Sequence, residues 1–369
     1  MQFFIGLMSG TSSDAIDVAL VSFENQIIKL EHFQEQPFPS EITNRIAKMR
    51  SIETQLTLKE IAELNISLGK VFAEAANRLI TLTKIEREKI TAIGSHGQTI
   101  LHAPDGPSPF SVQLGEPNTI AMITGIKTIA DFRMMDIAAG GQGAPLVPAF
   151  HEVLFRDQIK NRIILNLGGI ANITFLPASS DQIIIGFDTG PANALMDDWI
   201  LLKLGESYDR NGQWGKSGEV IPDLLEEMLK DDYFQRSTPK STGREYFNLE
   251  WLYKKKGSNI DTYRPEDVQA TLQHLTVQSI SGAIKNIGSE VDEIILCGGG
   301  THNDHIVSLL SDALPESTMK TTADFGIDPD CIEAMAFAWL AKRRLDNLPG
   351  NLPSVTGAWK EVLLGGIYG

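Results

Sequence analysis

The sequence predicts an α/β protein built from two domains. Its 369 residues exceed what a single hydrophobic core ordinarily serves. Short β-rich runs alternate with segments of helical spacing along the whole chain. A strand, a small polar turn and a second strand near the N-terminus recur in the second half.

The first of these units spans residues 2–8 and 17–23, which read as a hairpin around the small polar turn from Ser9 to Asp14. A long helix follows at about 56–80, where Ile61, Leu64, Leu68, Val71, Phe72 and Leu79 recur at helical spacing. Ile90–Ile93 reads as a short strand leading into Gly94-Ser95-His96-Gly97-Gln98. The stretch 136–148, rich in Gly, Ala and Pro, reads as an ordered loop. Runs at 163–167, 173–176 and 183–187 read as a second cluster of strands. Segments 265–287 and 328–345 read as helices, with a buried strand at 294–297. The echo sits at 163–172, where IILNLGGIAN followed by ITFL repeats the layout of IGLMSGTSSD followed by DVAL. Two such hairpins, one per domain, suit a duplicated fold around a nucleotide. Chance recurrence of strand–Gly–strand units is the alternative.

Composition narrows the classes of partner. Hydrophobic residues make up 42%, ordinary for a globular chain, and no apolar run approaches the ~20 residues of a membrane-spanning helix. The N-terminus lacks a basic stretch ahead of its apolar run and reads as strand and turn, not as a signal peptide. Cys297 and Cys331 are the only cysteines, which argues against a disulfide scaffold and fits a reducing cytosol. A formal net charge of −15 repels nucleic acid and anionic membrane. Backbone amides and magnesium can still hold a nucleotide's phosphates in such a field.

Several turns carry groups suited to that task. In Ser9-Gly10-Thr11-Ser12-Ser13-Asp14, small residues let amides approach an anion and hydroxyls add donors, while Asp14 can hold magnesium. An ordinary polar hairpin turn is the competing reading, and no Walker A pattern occurs in the chain. Gly168, Gly169 and Asn172 follow a strand and suit a second phosphate clamp, or simple strand termination. Gly298, Gly299 and Gly300 follow the buried strand, where a flat ring and ribose can pack on bare backbone; a tight turn is the alternative. Asp188 in GFDTGP is the candidate base. It ends a strand just before Gly190 and Pro191, and a helix N-terminus nearby favours its ionised form. A helix-capping Asp is the plain alternative. His96, Gln98 and Arg133 are polar groups in apolar settings, fit for sugar hydroxyls and a carboxylate, or equally for a buried His and a salt bridge. Glu333 lies among Ile332, Ala334, Met335 and Phe337, and helical phase leaves it either exposed or site-facing.

Taken together, these stretches resemble the anhydro-N-acetylmuramic acid kinase family. The matching segments are GLMSGTSSDAIDVAL, IGSHGQTILH, IADFRMMDIAAGGQGAPLVPAFH, NLGGIANITFL, GFDTGPANALMDDW, KSTGREYFN, LCGGGTHN, IEAMAFAWLA and VTGAWKEVLLGG, running in family order from Gly6 to Gly366. The resemblance implies two actin-like (ribonuclease H-like) domains with a nucleotide cleft between them, drawn at 1–127 plus 346–369 and at 128–345. It implies a cytoplasmic homodimer that uses ATP and Mg2+ on anhydro-N-acetylmuramic acid, opening the 1,6-anhydro ring and phosphorylating O6 in peptidoglycan recycling. Residues Ser9 to Ile16, Ala15 included, would bind ATP, with Asp14 on the metal and Asp188 as base. His96, Gln98, Arg133 and Glu333 would face the sugar. A conventional sugar kinase without ring opening and an actin-like nucleotide switch are the other readings. Two positions depart from the family pattern, Ala15 and Ala192, where glycine is usual. Each methyl is tolerable if φ is negative there.

Overall fold

A computed structural model describes residues 1–10, 15–25, 27–50 and 57–369. The chain begins with β1 (Gln2–Ser9), β2 (Ala15–Glu24), β3 (Ile27–Pro37), β4 (Ile90–Ala103), β5 (Phe110–Leu114) and β6 (Thr128–Ala130). It continues with β7 (Arg162–Leu167), β8 (Ile170–Leu176), β9 (Ile185–Pro191), β10 (Glu293–Cys297) and β11 (Thr318–Thr321), and closes with β12 (Gly366–Tyr368). Two compact units result, Met1–Leu154 with Cys331–Gly369, and Phe155–Asp330.

The first unit holds the sheet β12-β6-β4-β1-β2-β3, with β5 paired to β4. Strands β1, β2 and β3 run antiparallel in turn, whereas β1, β4 and β6 run parallel. The second unit holds β11-β10-β7-β8-β9, with β7, β8 and β9 antiparallel in turn and β7, β10 and β11 parallel. Substituting β7 for β1, β8 for β2, β9 for β3, β10 for β4 and β11 for β6 maps the second order onto the first, with β12 and β5 as additions to the first sheet. The echo in the sequence is therefore a repeated topology, and the fold is α/β with two sheets that share one strand order.

The long helix runs Leu58–Thr83, and its start is written in the sequence. Thr57 caps the Glu60 amide while the Glu60 side chain returns to the Thr57 amide. The expected start at Leu56 lies outside the described residues. Its face of Leu64, Leu68, Phe72, Ala75, Ala76 and Leu79 is buried in the first unit's core with Ile5, Leu7, Val18 and Ile93. In the second unit the Pro265–Lys285 helix buries Val268, Leu272, Leu275 and Ile280 in a core shared with Ile163, Leu165, Phe175 and Trp199.

Three expectations change. The unit boundaries fall at Leu154/Phe155 and Asp330/Cys331, so 128–154 and 331–345 belong to the first unit, not the second. The cause is pairing: β6 extends the first sheet, and the Ile332–Leu345 helix lies on β1 and β4. There a β-carbon on Gly6 would overlap the Ala334 carbonyl oxygen, and one on Gly94 the Phe337 carbonyl oxygen. The strand expected at Ile90–Ile93 continues to Ala103, because β1 and then β5 supply its hydrogen bonds past the glycines. The loop read at 136–148 opens with the end of a short helix, Met134–Ala138.

Candidate active site

In the second unit, the carboxyl ends of parallel β7, β9 and β10 lie along one edge of the sheet, the side on which open α/β sheets bind ligands. Cross-strand pairing sets Cys297, Asn166, Asn172 and Asp188 in a lateral row over β10, β7, β8 and β9. A register shift beside Asn172 leaves Thr189 out of the residue-to-residue pairing, a bulge immediately next to Asp188, and the Thr189 hydroxyl donates to the Ala171 carbonyl. Asp188 is half-buried. Its Oδ2 accepts the Thr242 backbone N–H at 2.9 Å, its own N–H donates to the Lys240 carbonyl at 3.2 Å, and its carbonyl accepts the Tyr233 hydroxyl at 2.7 Å. Burial, followed by the Asp188 charge, raises the Tyr233 phenol far above its ordinary range, so it remains a donor. The Ser237–Phe247 stretch thus grips the aspartate on its main chain and side chain together. Asp231 anchors this stretch, accepting from Tyr246 (2.7 Å), Trp251 (2.9 Å) and Lys255 (2.7 Å).

The glycines nearby have distinct duties. The carbonyl of Gly169 accepts from Ala192 and Ala194, and that of Gly168 from Asn193, so this turn caps the Asn193–Leu204 helix with its oxygens. Gly298 has φ +81°, and a β-carbon there would collide with Asn166 Oδ1. Gly300 lies where a β-carbon would come within 2.6 Å of the Leu167 side chain. Gly299 alone has open space above it. Ala192 has φ −126°, so the methyl in place of the usual glycine brings no left-handed strain. Ala15 stands in β2 opposite Pro37 and is absent from the positive-φ residues.

In the first unit, the corresponding edge gathers Ser9, Gly10, the His96–Gln98 segment and Arg133. Thr11, Ser12, Ser13 and Asp14 lie outside the described residues. Gln98 is fully buried: its Oε1 accepts the Ser9 hydroxyl at 2.6 Å and its Nε2 donates to the Gly10 carbonyl at 3.2 Å. Its amide thereby supports the first turn. Ile16 is packed in the core, leaving its backbone as the part a ligand can meet. Arg133 donates to His96 Nε2 from both Nε (3.0 Å) and Nη2 (2.8 Å), and from Nη1 to the Gly143 carbonyl (2.7 Å). Burial and then Arg133 drive the His96 imidazole well below its ordinary range, so it is neutral and its Nε2 accepts. Phe337 stacks on that ring at 4.7 Å. Burial raises the Glu333 carboxyl, with Arg133 opposing.

The sequence reading missed Tyr233, Lys240 and Thr242. KSTGREYFN stood out as a family segment, yet no periodicity or spacing tied it to Asp188. Arg244 was missed for the same reason; it lies against Gly169 and pairs with Asp198 at 3.7 Å.

The sequence profile of the anhydro-N-acetylmuramic acid kinases matches residues 2–369. An anhydro-N-acetylmuramic acid kinase of Coxiella burnetii is 50% identical over 365 residues, covering 99% of this chain and 97% of that protein. One from Pasteurella multocida is 47% identical over 368 residues, covering 100% and 97%. Among solved structures, similarity is distant. The activator of 2-hydroxyisocaproyl-CoA dehydratase from Clostridium difficile aligns with TM-score 0.47 at 12% identity over 94% of this chain and 98% of that one. A ROK family glucokinase from Streptomyces griseus aligns with TM-score 0.41 at 11% identity over 92% and 99%. The match over the whole length at such identity, on a chain whose sheets and strand-end residues have the arrangement described, makes this protein a kinase belonging to the anhydro-N-acetylmuramic acid kinase family.

Proposed function

We propose that the protein uses ATP to open the 1,6-anhydro bridge of anhydro-N-acetylmuramic acid and to phosphorylate O6, giving N-acetylmuramic acid 6-phosphate and ADP. The observation that carries this reading is Asp188: a half-buried carboxylate in the middle of β9, where the sequence suggests a strand end, aimed by the Thr242 amide and set beside a bulge. In the proposed step Asp188 takes a proton from a water molecule as that water's oxygen bonds to the anomeric carbon. The bond from that carbon to O6 breaks, and O6 takes the γ-phosphoryl group from ATP. Positioning and charge stabilisation carry most of such a transfer.

The reading assigns the triphosphate to Ser9–Ile16 and to Gly168, Gly169 and Asn172. It puts the adenosine end on Gly298–Gly300, where Gly299 leaves the backbone bare. His96, Gln98, Arg133 and Glu333 serve the sugar, and Gln98 also fixes the Ser9–Gly10 turn. Asp14 would hold Mg2+, which draws charge from the phosphates. Among the described residues no three His, Cys, Asp or Glu side chains gather as a metal site. A kinase magnesium takes only one or two protein carboxylates, phosphate and water completing its shell. The reading includes a cytoplasmic homodimer recycling peptidoglycan sugars.

Turnover in heavy-oxygen water tests the ring opening. One label is expected on the anomeric hydroxyl at early times and none in the sugar–phosphate bridge. Phosphorylation of unbridged N-acetylmuramic acid as fast as the anhydro sugar would replace this scheme with a conventional kinase.

A further inference from the structure

Past the sheet edge, β4 continues beside β5 as a projecting hairpin, and on it stands a polar chain that the foregoing roles do not use. Gln113 Nε2 donates to the Ser111 hydroxyl oxygen at 2.6 Å and to the Thr99 hydroxyl oxygen at 3.2 Å. Ser111 Oγ lies 3.0 Å from His102 Nδ1. With its oxygen accepting from Gln113, the Ser111 hydroxyl is free to turn its proton toward Nδ1. A neutral imidazole that accepts at Nδ1 carries its proton on Nε2. Burial, Arg133 next and Asp105 opposing, holds His102 at about 4, so the ring is neutral near pH 7. His102 Nε2 is buried and has no hydrogen-bond partner among the described residues. The Ser111 N–H meets Met134 Sδ at 3.3 Å, which ties the hairpin to the segment carrying Arg133.

We propose that His102 is a specificity residue whose Nε2–H donates to the carboxylate of the substrate's lactyl group, in the positive field of Arg133. This rests on the anhydro-sugar reading above. A donor fixed in direction, within the field of a guanidinium, selects an anionic acceptor. A sugar hydroxyl, able to donate or accept, gains less from it. The lactyl carboxylate is the one anionic group that distinguishes this sugar from anhydro-N-acetylglucosamine.

The test compares the wild type, His102→Phe and His102→Gln on anhydro-N-acetylmuramic acid and on anhydro-N-acetylglucosamine. Loss of one hydrogen bond to a charged group should raise KM for the muramic sugar about 10- to 100-fold in His102→Phe, with kcat little changed. The glutamine amide should recover part of this. KM for the lactyl-free sugar should stay near the wild-type value. An equal rise for both sugars, or none for either, overturns the assignment. Nitrogen NMR of the wild-type imidazole should find the proton on Nε2, and a proton on Nδ1 overturns it independently. A wild type that turns over neither sugar defeats the activity reading itself, a result separate from any His102 comparison.

Discussion

Asp188→Asn separates the chemistry from the fold at one atom. The bonds that hold residue 188 in place are mostly main-chain: the amide to Lys240, the carbonyl from Tyr233, and pairing with Asn172 across the sheet. Among the side chain's contacts, asparagine must reproduce the acceptor for the Thr242 amide at 2.9 Å. An asparagine with its oxygen toward Thr242 keeps it. The flipped amide would set two N–H donors face to face, at a cost of about 1–3 kcal/mol, so the useful orientation dominates. Stability should therefore change by less than about 1 kcal/mol, while loss of the proton acceptor should lower turnover about 10²- to 10⁴-fold. Coupled ADP release measures turnover, calorimetric ATP binding reports the nucleotide site, and a thermal melt reports the fold. Near wild-type turnover in a soluble variant that melts and binds ATP normally would remove Asp188 from the role of base.

Two further outcomes follow from packing and charge. Gly6→Ala places a methyl group against the Ala334 carbonyl and 2.9 Å from the Ala338 nitrogen, so the Ile332–Leu345 helix must lift from the sheet. A loss of about 3 kcal/mol is expected in denaturant unfolding, and an unchanged midpoint would show that the helix does not press on β1. Glu293, 2% exposed, receives Lys160 at 2.5 Å, Lys320 at 2.7 Å and Arg162 at 2.8 Å. Burial alone would raise its carboxyl, but these hydrogen bonds and charges win and hold it at about 2. Its folded value is depressed, so its contribution is complete above the ordinary carboxylate range near 4.5 and fades as pH falls toward about 2. Glu293→Gln should destabilise by about 3 kcal/mol at pH 7, with the gap to wild type narrowing toward pH 3 in urea unfolding. A gap independent of pH would rule out the ion cluster as its source.

Local sequence determined the elements and much of the candidate site. Helical spacing from Ile61 to Leu79 and the Thr57–Glu60 capping box specify the long helix, since both signals act within a turn or two of backbone. Strand, small turn and strand at Ser9 and at Gly168 mark the two hairpins. A carboxylate just ahead of Gly190-Pro191 singles out Asp188 within a few residues, although the strand runs on through Pro191 instead of ending before this pair. The tertiary structure decided what these elements do to each other. Gly94 and Gly97 read locally as the end of a strand, yet β4 runs through them because β1 and β5 bond to it and the Ile332–Leu345 helix needs the bare Cα of Gly94. The same helix and β6 moved the unit boundaries, through pairings with residues far away in sequence. Gln98, read from the sequence as a ligand for sugar, also supports Ser9 and Gly10, a contact that only the fold reveals. Thr242, some fifty residues from Asp188, aims it through a backbone N–H that every residue but proline possesses, and Tyr233 reaches its carbonyl with a phenol from about as far away, so no local side-chain pattern could announce either. Periodicity records which face of an element is buried; the partner it is buried against, and the glycine that lets two backbones meet, are set by contacts across the fold.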